Sequence, residues 1–156
     1  MKRLLVTMMI MTGWALAGCV STVDTAGQAQ RLATVKTRLA LGYMGQGQGL
    51  EAQRQIDAAV RLAPAQPHAW LVRAQIYSHL DRHTEADASY QQALILAPEA
   101  GMANHHYGWY LCQTDATRAA AMAYFDRALA DEAYADRAQA SGHRQACLAQ
   151  LGQPTE

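Results

Sequence analysis

Hydrophobic positions divide this chain into two unlike parts. Leu4 to Ala17 form a mostly apolar run behind Lys2-Arg3, interrupted by Thr7 and Thr12. From residue 29 onward the chain is rich in Ala and Gln and poor in β-branched residues, a composition that favours helix. No segment alternates apolar and polar positions long enough to read as a strand. The apolar pattern then repeats. Tyr43, Gly47, Ala52, Ile56, Ala59 and Leu62-Ala63-Pro64 return, each 34 residues later, as Tyr77, Asp81, Ala86, Tyr90, Ala93 and Leu96-Ala97-Pro98. Ala40, Ala74 and Gly108 continue the same offset.

A period of 34 with these residue types resembles the tetratricopeptide repeat (TPR), in which each copy is a pair of antiparallel helices. Trp70, Ala74, Tyr77, Ala86, Tyr90, Ala93 and Pro98 fill the consensus slots of the second copy. Small residues let paired backbones approach, and Tyr43, Ile56, Tyr77 and Tyr90 fill the space that remains. Pro64 and Pro98 end the second helix of their copies, because proline has no N–H to continue the ladder. The turns within copies fall at Gln46–Gly49 and near Asp81–His83. The resemblance implies an all-α TPR solenoid, a right-handed superhelix of about three helix pairs plus a C-terminal capping helix. The expected copies are 33–66, 67–100 and 101–133, with a cap at 134–151 and a fraying tail at 152–156.

Two departures stand out. Arg73 replaces the usual Leu and is expected to loosen that contact. Copy three lacks the closing proline, has Glu132 near its place, and needs a spacing of 35 to align Ala128 with Ala93, which implies one residue inserted near Thr114–Thr117.

The N-terminal run has a basic start, an apolar middle and small residues before a cut. Leu16-Ala17-Gly18-Cys19 resembles a bacterial lipobox, in which Cys19 is acylated and becomes the mature N-terminus. The expected divisions are a signal peptide at 1–18, a lipidated tether at 19–28 and a TPR domain at 29–151. Removing the signal leaves about 138 residues, enough for one domain. It also removes two cations, so a formally neutral chain becomes slightly acidic. No Lys/Arg cluster remains to neutralise phosphates, which argues against nucleic acid as a partner. By the sorting rule of such lipoproteins, Val20 after the cysteine points to the outer membrane, with the domain facing the periplasm.

Cys112 and Cys147 occupy the same slot of consecutive first helices once the insertion is counted. In an oxidising compartment such a pair bonds if the backbones approach closely enough. Two buried free thiols are the alternative. A metal site with His105, His106 and His143 is a third reading, disfavoured because their spacing is not that of ligands. No nucleophile elbow, phosphate loop, HExxH or carboxylate pair is present, so the chain reads as a binding protein with neither catalytic residues, cofactor nor small-molecule substrate.

TPR stacks bind partners on the concave side, along their first helices. The slots expected there are Thr37, Leu41 and Met44, then Leu71, Gln75, Ser78 and His79, then His105, Trp109 and Gln113. Apolar with scattered hydrogen-bonding groups, this set suits an extended or helical apolar peptide better than an acidic tail. On this assignment Leu71→Glu weakens binding and leaves the helices intact.

Asn104-His105-His106-Tyr107-Gly108-Trp109-Tyr110-Leu111-Cys112-Gln113, continued by Arg127-Ala128-Leu129-Ala130-Asp131 and Tyr134, is similar to the N-N-Y-G-x-F-L-C and R-A-L-A-D-P-x-Y segments of the PilF/PilW type IV pilus biogenesis lipoproteins. His105 departs from that pattern. The resemblance implies an outer-membrane lipoprotein that helps the pilus secretin localise or assemble through a TPR groove. It also implies a disulfide between Cys112 and Cys147. The competing reading is an envelope TPR scaffold that recruits peptidoglycan enzymes or other lipoproteins.

Overall fold

The computed structural model describes residues 20–151. The expected signal peptide at 1–18, Cys19 and the tail at 152–156 lie outside the described residues. Within them the chain forms seven helices and no strand: α1 (Val20–Gly45), α2 (Gly49–Leu62), α3 (Pro67–His79), α4 (His83–Leu96), α5 (Gly101–Cys112), α6 (Asp115–Ala130) and α7 (Arg137–Leu151). The helices pack as the hairpins α1–α2, α3–α4 and α5–α6, and α7 lies against α5 and α6. This is the all-α TPR solenoid.

Most of the expected tether at 19–28 is helical, and Cys19 lies outside the described residues. Residues 20–28 are the opening turns of α1, because nothing in Val20–Gln28 breaks a helix except the single Gly27, which a helix tolerates at modest cost. The cap is shorter than expected: α7 starts at Arg137, and Tyr134 sits in the preceding turn with its side chain buried.

The first two hairpin turns share one conformation. Gly47 has φ 72°, and the N–H of Gln48 donates to the carbonyl of Tyr43 at 2.9 Å. Asp81, 34 residues later, has φ 57°, and Arg82 donates to Tyr77 at 2.9 Å. Asp tolerates the left-handed region better than most residues, so the second copy keeps the turn without glycine.

The third copy is shifted in register. Its first helix keeps the offset of 34, so buried Ala103 and Gly108 stand where Ala69 and Ala74 do. Its second helix buries Ala121, Phe125 and Ala128, each 35 after Ala86, Tyr90 and Ala93. Gly108 is the smallest residue of its slot because a Cβ there would come within 3.3 Å of the Ala121 carbonyl and the Phe125 ring. In place of the missing proline, Asp131 closes the copy: its carboxylate accepts from the N–H of Gly101 at 2.8 Å and of Ala133 at 3.0 Å.

One equivalent bond recurs at both junctions between copies. Trp70 Nε1 donates to the carbonyl of Pro64 at 2.8 Å. Asn104, in the same slot of the next copy, donates through Nδ2 to the carbonyl of Pro98, also at 2.8 Å. The slot thus conserves a donor rather than a shape. Arg73 does not loosen the stack. Its Nε donates to Asp57 Oδ1 at 2.9 Å, Nη1 donates to Ser89 Oγ, and its guanidinium lies 4.2 Å from the centre of the Tyr77 ring.

Candidate peptide-binding groove

The first helices α1, α3 and α5 run side by side and leave a cavity of about 450 Å³, lined by Met44, Gln75, Ser78, His79, Asp81, Tyr90, His106, Trp109, Tyr110 and Gln113. Met44, Gln75, Ser78, His79, Trp109 and Gln113 were expected there from their slots. Tyr90, His106, Tyr110 and Asp81 were not. Asp81 reaches the groove only because the turn ends on the concave side. His106 and Tyr110 stand one position beyond slots already assigned, and the width of the groove brings them in.

Four expected groove residues lie elsewhere. Thr37, Leu71 and His105 share one slot and are all buried, at 1%, 4% and 2% exposure. That slot faces the neighbouring first helix rather than the open side. Thr37 returns its hydroxyl to the carbonyl of Ala33 at 2.9 Å, and Leu71 belongs to the central core with Tyr107, Leu111 and Phe125. Leu41 is half-buried against the N-terminal core with Ile56 and Ile76. Leu71→Glu therefore places a carboxylate in the core and is no probe of binding.

His105 instead fastens the C-terminal end. Its Nδ1 lies 2.7 Å from the hydroxyl of Tyr134, and its Nε2 lies 2.8 Å from Nδ1 of His143 on α7. Burial, then the neighbouring His106 and His143, hold its pKa down to about 4. His106, stacked on it with ring centres 5.3 Å apart, is lowered for the same leading reason. His143 in turn stacks on Trp109 at 4.2 Å, so α7 sets the orientation of the largest groove residue.

Cys112 and Cys147 are joined, with Cα atoms 5.8 Å apart, and bind α5 to α7 beside the histidines. Among the described residues no group of three His, Cys, Asp or Glu side chains is placed to hold a metal ion.

The groove carries no Lys or Arg among its lining residues, and Asp81 is its single carboxylate. Tyr90 is buried and its hydroxyl pKa is raised, chiefly by burial, so the ring acts as a neutral floor. Tyr90, Tyr107 and Tyr110 stack on one another at 5.1 to 6.2 Å, which holds the floor rigid. Such a surface offers apolar area and neutral hydrogen-bonding groups to another polypeptide.

Comparison with known proteins agrees with this geometry. Residues 67–99 match the tetratricopeptide repeat family model. Comparison with the curated proteins gives no match. Among solved structures, PilW, a widely conserved type IV pilus biogenesis factor, is 39% identical over 78% of this chain and 55% of its own, with a TM-score of 0.74. PilF of Pseudomonas aeruginosa is 19% identical over 80% of this chain and 55% of its own, with a TM-score of 0.75. The first TPR of Spaghetti (RPAP3), bound to the HSP90 peptide SRMEEVD, is 20% identical over 80% of this chain and 98% of its own, at 0.67. The chain thus spans about half the length of PilW and PilF, 55% of each. Its repeat pattern, its stacked helix pairs and its likeness to PilW make it a TPR protein of the PilF/PilW type.

Proposed function

We propose that this protein is a lipoprotein of the outer membrane, acylated at Cys19, that serves type IV pilus biogenesis by holding a polypeptide segment of another envelope protein in its α1–α3–α5 groove. The pilus secretin is the proposed partner. The observation that carries the reading is the 39% identity to PilW over a segment that contains the whole groove. The lipobox at Leu16–Cys19 supports the anchor, and Val20 supports the outer membrane.

The groove argues for the chemistry of the segment. The related fold of Spaghetti holds an acidic peptide, and an acidic peptide calls for cations. This groove lines its walls with Met44, Trp109 and Tyr110 and with neutral Gln75, Ser78 and Gln113. An apolar peptide with a free backbone edge, neutral or carrying a cation toward Asp81, fits that set.

The test is capture from detergent-solubilised envelopes with the full-length protein. Enrichment of the secretin, lost in Trp109→Ala, supports the reading. Enrichment of peptidoglycan hydrolases or synthases in its place would assign the groove to an envelope scaffold. Loss of the gene should also lower secretin multimers in outer-membrane fractions, and unchanged multimers would overturn the assignment.

A further inference from the structure

Asp81 holds a place that the turn does not need an acid to fill. It stands between α3 and α4 with φ 57°. The equivalent turn of the first copy is made by Gly47 at φ 72°, with no side chain at all. Glycine adopts this backbone without the steric cost of a Cβ. An Asp placed in a turn for structural reasons accepts a hydrogen bond from nearby backbone N–H groups. The carboxylate of Asp81 accepts none, and it forms no ion pair among the described residues. Its neighbour Arg82 is held by Glu85 and lies 4.6 Å from the centre of the Tyr77 ring. Glu85, not Asp81, is the acid in the first turn of α4. What remains for the Asp81 side chain is the groove, which it lines as the single carboxylate.

Aromatic rings stand at the same end of that groove. The Tyr110 hydroxyl donates to the carbonyl of His83 at 3.0 Å, which pins the phenol to the turn that carries Asp81. The Tyr90 ring lies 5.2 Å from that of Tyr110, centre to centre. Tyr110 is partly exposed and Trp109 is 37% exposed, so both offer ring surface to an occupant. The face of such a ring is negative, so it attracts a cation and repels a carboxylate.

Charge therefore selects the occupant. No Lys or Arg lines the groove to neutralise Asp81 from within the chain. His106, which also lines it, is kept neutral by burial first and by His143 second. An acidic segment would meet Asp81 and the ring faces with the wrong sign. A wholly apolar segment would cover Asp81 without a partner, which costs free energy. A basic side chain avoids both penalties, because its methylene stem packs on the rings while its head reaches the carboxylate.

We infer that the groove holds a polypeptide segment with a Lys or Arg set among apolar residues, its cation seated between the Tyr110 ring and the Asp81 carboxylate. The inference rests on the groove reading above and adds the chemistry of the occupant. Asp81→Asn and Asp81→Gly remove the charge and keep the turn, since both residues accept a positive φ. Full-length protein in detergent is immobilised, and a random peptide library displayed on phage is selected against it. Enriched sequences should carry a Lys or Arg beside aliphatic or aromatic residues. The strongest of them, synthesised with a fluorescent label, should bind Asp81→Asn and Asp81→Gly about tenfold more weakly than the unaltered protein. The circular dichroism spectra of both variants should be unchanged. Replacing the basic residue of the peptide by Gln should weaken binding to the unaltered protein by the same factor and leave binding to Asp81→Asn as it was. Selected peptides without a basic residue, or rich in Asp and Glu, would overturn the inference. So would equal affinity for the unaltered protein and Asp81→Asn. Peptides that bind Trp109→Ala undiminished, or no enrichment at all, would strike the groove reading itself and this inference with it.

Discussion

His105 Nε2 lies 2.8 Å from His143 Nδ1, across the joint between the last hairpin and α7. Around it stand His106, Tyr134 and, at longer range, the carboxylate of Asp136, which is the one group that favours a charged ring. Burial outweighs it, so the pKa of His105 falls from 6.5 to about 4. A lowered histidine pKa means that the folded state prefers the neutral ring. Stability from this source is therefore complete above about pH 6.5 and is lost as pH falls through about 4. The loss should be about 2–3 kcal/mol. Urea unfolding at pH 7 and pH 4 measures it, and His105→Gln should flatten the dependence. An unchanged slope in that variant would place the acid sensitivity elsewhere.

Reduction of the Cys112–Cys147 bond opens a loop of 35 residues. In the chain-entropy account this costs about 3–4 kcal/mol. Among the described elements α7 packs only on α5 and α6, so it should suffer first. Hydrogen exchange with and without reductant should show faster exchange at 137–151, with α1–α4 little affected.

Arg73→Leu restores the residue that the repeat pattern expects, yet it should destabilise the protein by about 1–2 kcal/mol. Asp57 would lose its cation, and Ser89, fully buried, would lose the guanidinium that donates to it. Tyr77 would still donate to Asp57 at 2.9 Å, which limits the cost. Thermal unfolding of the single variant and of Arg73→Leu with Asp57→Leu tests the coupling, and the pair should recover part of the loss.

Gly47→Ala should cost about 1 kcal/mol. The space around Gly47 is open, so the penalty is conformational and not steric. Asp81→Gly in the equivalent turn should be neutral or slightly stabilising, and comparison of the two unfolding midpoints separates the turn from its surroundings.

Leu71→Glu should unfold the stack, at about 3–5 kcal/mol, because Leu71 is a core residue. Trp109→Ala and Gln75→Ala should keep the helical spectrum and lower partner capture, with Trp109 the larger effect at about tenfold. Full helicity in Leu71→Glu would contradict the placement of its slot.

The helices, their pairing and the shift from 34 to 35 in the third copy were legible in the sequence, because a repeat writes its packing as a period. The groove was legible in part. Slot numbers say that Thr37, Leu71 and His105 are equivalent, and they are, but not that the shared direction points at the next first helix. That angle is set by how adjacent hairpins lean on each other, which no single copy encodes.

Local chemistry determined the elements: small residues where backbones meet, prolines that end the second helices of the first two copies, and a left-handed position at the turns of those copies. Only tertiary structure decided which polar side chains would find partners. Arg73 reads as a fault until Asp57 and Ser89 are placed around it, and nothing in the slot that Asn104 shares with Trp70 says that both donate to the carbonyl of a proline six residues back. A period records which positions correspond, whereas the donors at those positions differ from copy to copy and meet their acceptors only once the copies have stacked.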